Sequence, residues 1–260
     1  MPTGLGEFLR SRRERLTPES VGLRPGRRRR TPGLRREEVA ELAGIGVDWY
    51  VRLEQGRTVR PSTATVEALA EALRLDDTER AHLAVLAQQT RRPAFEPETV
   101  PPSVKTLIEG LSQPAYATGR RWDVLAWNDA AVELFSGFPF EDRNILVYLL
   151  LNPAARRLFG PGWADRARHT VGQFRAAHDV WAGDPAFTEL AARLAAGCPE
   201  FSTWWDDHGI AVGSGSGRKV LHHPERGVVA YDYATFQSND DAAVRLAVYT
   251  PVDRGHAVPV

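Results

Sequence analysis

Cysteine occurs once in 260 residues, at Cys198. That excludes an internal disulfide and any Cys pair able to hold a metal, and leaves a small buried side chain as its simplest role. Lysine is almost as scarce: only Lys105 and Lys219 occur among 33 basic residues, so nearly all positive charge is arginine. Arginine fits phosphate well, but the skew extends into the acidic half of the chain, which favours a GC-rich coding sequence as its origin. No apolar run approaches the roughly 20 residues of a membrane span. The start, Met1-Pro2-Thr3-Gly4, lacks the basic segment and apolar stretch of a secretory leader. A soluble, cytoplasmic chain with no membrane partner is expected.

The length exceeds the usual single domain, and a hydrophobic content of 43% lets each of two domains bury its own core. The net charge of zero hides an asymmetry. Residues 1–92 carry 18 Arg against 13 Asp and Glu, a net of +5; the other 168 carry 15 Lys and Arg against 20 Asp and Glu, a net of −5. A polyanion is the natural partner of the basic end.

Apolar residues at helical spacing, Leu5, Phe8 and Leu9, open a first amphipathic helix ending near Arg15. Gly22 to Gly33 holds prolines, glycines and Arg27-Arg28-Arg29-Arg30, the composition of an exposed loop. Four short helices follow, at Arg35–Ala43, Val47–Gln55, Ser62–Leu73 and Thr78–Gln88; Ser62 and the pair Asp76 and Glu79 have the spacing of N-terminal caps. Pro93, Pro97, Pro101 and Pro102 then interrupt helix. These signals predict an all-α five-helix domain over residues 1–90, a Pro-rich linker over 91–102 and a second domain over 103–260.

In the second domain a helix at Ser103–Leu111 leads to strands at Ala115–Thr118 and Asp123–Trp127 around a turn at Gly119. Asn128 can cap the next helix, and helices dominate 144–205. Strands at Lys219–His222, Gly227–Phe236 and Val244–Thr250 close the chain, the first two joined by His223-Pro224-Glu225-Arg226. The result expected is α+β with an antiparallel sheet. Gly213-Ser214-Gly215-Ser216-Gly217 reads as a flexible loop.

Glu37 to Gly56 has the spacing of a helix-turn-helix: Ala40 as the small contact between helices, Gly44 in the turn, and Val39, Tyr50 and Leu53 as apolar support. Here the sequence resembles the phage-repressor, or Xre, class of helix-turn-helix proteins over roughly residues 5–88. Arg35-Arg36-Glu37-Glu38-Val39-Ala40-Glu41-Leu42-Ala43-Gly44 and Arg52-Leu53-Glu54-Gln55-Gly56-Arg57 carry the resemblance. It implies a second helix lying in the major groove of double-stranded DNA, with Val47, Asp48, Trp49 and Arg52 towards base edges. Arg52 suits guanine and Val47 a thymine methyl; Asp48 suits cytosine or the orientation of Arg52. Phosphate contacts are expected from Arg57, Thr58, Arg60, Arg35, Arg28 and Arg29. The loop around Arg28 and Arg29 is longer than the link usual in that class, and two readings of it stand: a backbone-binding arm or a solvated cluster.

Nothing in the C-terminal half demands catalysis, and no enzyme is expected. Asp206, Asp207 and His208 are adjacent and so do not share a helix face; His222 and His223 precede a turn, where a turn role outweighs a metal role. No metal is assigned. Trp122, Trp127, Phe135, Trp163, Phe174, Trp181, Phe201, Trp204 and Trp205 fit a core or the walls of a small-molecule pocket.

A second resemblance bears on that choice. Gly119-Arg120-Arg121-Trp122-Asp123-Val124-Leu125-Ala126-Trp127-Asn128, Arg143-Asn144-Ile145-Leu146, Asn152-Pro153-Ala154-Ala155-Arg156 and Pro199-Glu200-Phe201 look like the MmyB-like ligand-binding domain, over about residues 103–252. That resemblance implies a PAS-like sheet with helices and a pocket for a small hydrophobic, fatty-acid-like ligand, with no other cofactor. On it, Trp127, Phe135 and Phe174 are candidate walls, and Arg175 and His178 candidate partners of a carboxylate. The expectation is a homodimeric, ligand-modulated regulator on a pseudo-palindromic operator. The alternative is a ligand-independent DNA-binding dimer whose second domain, closed around an aromatic core, only dimerises or recruits a protein.

Overall fold

The computed structural model describes residues 4–24, 33–57, 60–88, 94–135, 142–211, 215–239 and 241–252. It divides into two compact units: Met1–Phe95 with Arg175–Glu189 and His208–Ala211, and Glu96–Phe174 with Leu190–Asp207 and Val212–Val260. The division differs from a linear cut near residue 100, because two later segments belong to the first unit.

Among the described residues of its first stretch, the first unit holds five α-helices: α1 (Gly4–Arg15), α2 (Arg36–Leu42), α3 (Val47–Glu54), α4 (Thr63–Ala72) and α5 (Asp77–Ala87). All five expected helices are present, each within two residues of its predicted ends. The caps are those read from the sequence. Ser62 Oγ accepts from Thr65 N, and Asp76 and Glu79 each accept from the other's backbone N–H. Phe8, Leu9, Val39, Ala40, Tyr50, Leu53, Leu73 and Leu83 form one core. Charge closes it. Glu54, buried at the end of α3, accepts from Arg13 at 2.9 and 3.0 Å and from Arg36 at 2.8 and 3.0 Å, tying together α1, α2 and α3. Burial works against the Glu54 charge, but the Arg13 and Arg36 hydrogen bonds hold its pKa below the usual carboxylate range.

The later segments join through the same kind of contact. Asp179 is buried, accepts from His82 Nε2 at 3.2 Å and pairs with Arg175 at 3.3 Å. Arg12 donates to the His208 carbonyl at 2.8 Å, and the Phe95 ring meets Trp181 and Phe187 edge-on.

In chain order the remaining elements are α6 (Pro102–Gly110), β1 (Ala115–Thr118), β2 (Val124–Trp127), α7 (Asp129–Leu134), α8 (Ile145–Leu151), α9 (Pro153–Phe159), α10 (Trp163–Val180), α11 (Pro185–Gly197), α12 (Pro199–Asp206), β3 (Ser216–His223), β4 (Gly227–Gln237) and β5 (Arg245–Pro251). The strands form one antiparallel sheet in the order β2-β1-β5-β4-β3, confirming the α+β expectation. Ser216 and Gly217, expected in a loop, instead begin β3, paired with Ala234 and Tyr233. The ladder supplies partners that local composition does not reveal. Asn128 caps α7 as expected and does more: its Oδ1 accepts from Ala115 N and Ala131 N, and its Nδ2 donates to the Leu111 and Gln113 carbonyls.

Alternation along the strands gives the sheet two different faces. Ala115 and Ala117 of β1 pack with Ile108 and Val244 on one; Tyr231, Tyr233, Ala247 and Tyr249 pack with Leu134, Phe135, Tyr148 and Leu158 on the other.

Candidate nucleic-acid interface and ligand cavity

The turn between α2 and α3 is built as its residues require. Gly44 adopts φ +63, a conformation glycine takes without a Cβ penalty, and Ile45 N donates back to the Ala40 carbonyl at 2.9 Å. Ala40 is fully buried where a larger side chain would hold the two helices apart. Tyr50 and Leu53 point into the core, which leaves Val47, Asp48 and Arg52 exposed on the outer face of α3. Neither Asp48 nor Arg52 forms an ion pair with any described residue. Trp49 is half-buried and packs partly against the core. Arg35, Arg57 and Arg60 are exposed beside this face in sequence; Thr58, Arg28 and Arg29 lie outside the described residues.

The second unit contains a cavity of about 150 Å³ on the aromatic face of the sheet. Register explains its floor. Tyr116 stands opposite Ala247 and Thr118 opposite Arg245 between β1 and β5; Ala247 pairs with Thr235, and Tyr249 with Tyr233, between β5 and β4. All of these line the cavity, as does Lys219 of β3. Above them, α10 contributes Arg166, Thr170 and Gln173, spaced four and three residues apart and so on one helix face. Trp122, Phe135, Ile145, Tyr148, Leu149 and Phe159 complete the wall. Trp122 holds φ +65, uncommon for so bulky a side chain, and its carbonyl accepts from Ile145 N at 2.9 Å.

The cavity chemistry is polar at its centre. Lys219 Nζ donates to Tyr249 Oη at 2.6 Å, and the Tyr249 and Tyr116 hydroxyls are 3.2 Å apart. The Lys219 ammonium also lies 4.2 Å from the centroid of the Tyr233 ring and 4.7 Å from that of Tyr249. The Arg166 guanidinium lies 5.5 Å from the Tyr233 centroid. Burial, and then the Arg166 charge, push the Lys219 pKa well below its ordinary 10.5. Burial pushes those of Tyr116, Tyr148 and Tyr249 up, so the phenols keep their protons.

The structure brings some of the expected ligand residues together and not others. Phe135 lines the cavity, edge-on to Tyr249 at 5.2 Å. Trp127 packs on the same core cluster, its ring under Arg143, without lining the cavity. Phe174 is fully buried between Trp122 and Trp205. Arg175 and His178 belong to the first unit and meet Asp179. The reason is helical phase: Arg175 lies nine residues beyond Arg166, two and a half turns at 3.6 residues per turn, and so points to the opposite side of α10. The cavity is thus lined by the face of α10 that carries Arg166, and the expected Arg175 and His178 do not line it. The sequence reading missed Arg166, Lys219 and the four tyrosines, of which isolated Lys219 in an arginine-dominated chain was the available signal.

The remaining chemical candidates have structural roles. His223 Nδ1 accepts from Glu225 N and Arg226 N, organising the turn. Cys198 is buried, and Asp206, Asp207 and His208 mark the end of α12. Among the described residues no group of three His, Cys, Asp or Glu is placed to hold a metal, and no helix is long and apolar enough to cross a membrane.

A family model described as a helix-turn-helix domain matches residues 5–83, and one described as the MmyB-like transcription regulator ligand binding domain matches residues 100–257. No curated protein matches the chain.

Proposed function

The chain belongs to the MmyB-like transcription regulators through a ligand-binding domain that spans more than half its length, and from that premise we propose how its two sites work together. It is a DNA-binding regulator whose hold on its operator is modulated by a small molecule in the second-unit cavity. No turnover is involved. The ligand shares with the fatty-acid-like class an apolar body with an acidic head. Two copies bind a pseudo-palindromic operator, with α3 of each in a major groove and half-sites about 34 Å or a multiple apart.

The observation carrying the DNA reading is the outer face of α3, where Val47, Asp48 and Arg52 are exposed while Tyr50 and Leu53 anchor the helix. A base-reading helix needs this split between a fixed inner face and an outer face of short apolar and hydrogen-bonding groups. For the sensing reading the support is the cavity itself, since a domain serving only to dimerise has no use for a space of about 150 Å³ lined by polar groups. A bound ligand shifts operator affinity only by the difference in its binding to the two states, typically about 1 to 3 kcal/mol.

The test is operator selection from random duplexes followed by anisotropy titrations over a range of salt. Affinity should fall steeply with salt. Arg52→Ala should flatten preference at one base pair of each half-site, by about 1 to 3 kcal/mol. Unchanged preference in that variant would remove Arg52 from the base-reading set, and salt-independent binding would remove the phosphate contacts.

A further inference from the structure

Among the described residues three basic side chains line the cavity, Arg166, Lys219 and Arg245, and no aspartate or glutamate does. Among the described residues neither Arg166 nor Lys219 has a carboxylate partner. What holds them is aromatic: the face of Tyr233, with Arg166 at 5.5 Å and Lys219 at 4.2 Å, and the hydroxyl of Tyr249. Tyr249 is 1% exposed, so the amine of Lys219 rests on a buried phenol, and Arg166 is itself half-buried. Enclosing two positive groups beside one another without a counter-charge is unfavourable. An anion bound between them would supply the missing counter-charge and favour the charged form of Lys219.

Size narrows the class further. A cavity of about 150 Å³ is the volume that holds a single benzene ring in an apolar protein core. The walls suit a ring too: Tyr116, Phe135, Tyr233 and Tyr249 present faces and edges to the same space.

We infer that the cavity is a receptor for a compact aromatic carboxylate of about one ring, its carboxylate between Lys219 and Arg166 and its ring among the tyrosines. This rests on the sensing reading given above and names its ligand class. Thr118, Thr170, Gln173 and Thr235 supply short polar contacts for substituents on the ring. Lys219 is held on Tyr249 Oη before the ligand arrives, so little ordering of it opposes binding.

Isothermal titration of the full-length protein tests this with three probes: benzoate, its neutral isostere benzamide, and decanoate. Benzoate should bind at least about tenfold more tightly than either of the others, as charge-assisted contacts require. Lys219→Met and Arg166→Gln should each weaken benzoate about tenfold or more while leaving benzamide unchanged, with circular dichroism and melting temperature reporting that the fold persists. Arg245→Gln, at an exposed rim position, is a second variant that cannot fail through core packing. Equal affinity for benzoate and benzamide, tighter binding of decanoate, or no benzoate saturation at millimolar concentration would each overturn the inference. Anisotropy on the selected operator separates the two levels of the argument. Benzoate that binds without altering operator affinity leaves the ligand class standing and removes the sensing reading; decanoate that binds and alters it does the reverse.

Discussion

Arg12, Arg13 and Arg175 are buried in the first unit, and each sits on a carboxylate, of Glu79, Glu54 and Asp179 respectively. In the second unit Arg166 and Lys219 line a cavity and, among the described residues, meet aromatic rings and a phenol. The same residue types are thus used in two ways. Where an enclosed cation meets a carboxylate its charge is balanced inside the core; where it meets none, the proposed anion would supply the balance. In an arginine-rich chain, composition cannot separate these uses, whereas the positions of the carboxylates do.

The largest effect expected from breaking this contrast lies in the first unit. Glu54→Ala strands Arg13 in the core with Arg36 half-released, and should cost about 3 to 5 kcal/mol, read as a shift in urea midpoint. The same pairing has a pH signature. The pKa values of Glu54, Glu79 and Asp179 are held low in the folded state, so the stability they contribute is present above their ordinary values near 4 and is lost as pH falls through the folded values. Acid melts of the wild type should steepen below about pH 4, and Glu54→Gln should flatten that slope.

Next comes Asn128→Ala, which leaves two backbone N–H groups and two carbonyls without their partner and should cost about 2 to 3 kcal/mol. Lys219→Met sharpens the comparison from the other side, because an enclosed amine without a counter-charge is removed. It should raise stability in the absence of ligand by about 1 kcal/mol, allowing for the water that reaches the amine. The sign with pH follows from the lowered Lys219 pKa. Between that value and 10.5 the unfolded chain binds more protons than the folded one, so wild-type stability gains with rising pH and the advantage of Lys219→Met narrows. An advantage that is constant across pH would show that the amine is solvated. Ser62→Ala, on an exposed cap, should be the smallest, about 1 kcal/mol or less.

Much of the fold was legible because its signals are local. The caps at Ser62, Asp76 and Asn128, the turn at Gly44 and the strand at Ala115–Thr118 depend on residues within a few positions of one another. The cavity was not legible in that way. Tyr116, Lys219, Tyr233 and Tyr249 come from four strands, and only the pairing order β1-β5-β4-β3 puts them on one floor. Register is a long-range property, and a period of two says which residues share a face without saying which face meets which helix. On α10 the difference is one of phase alone, since Arg175 and the cavity-lining Arg166 lie half a turn apart in projection. The inclusion of Arg175–Glu189 and His208–Ala211 in the first unit depends on buried pairs such as His82 with Asp179, which are 97 positions apart.

The alternation of β1, β4 and β5 also bears on how such a receptor changes over generations. Ala115, Ala117 and Val244 hold one face of the sheet to α6, while Thr118, Thr235 and Ala247 border the cavity on the other. Substitutions at the latter three alter the shape and polarity of the recess and leave the packing behind it in place. On the proposed reading, a change of effector would be met at these three small positions one at a time, with the cationic pair and the packed face unchanged.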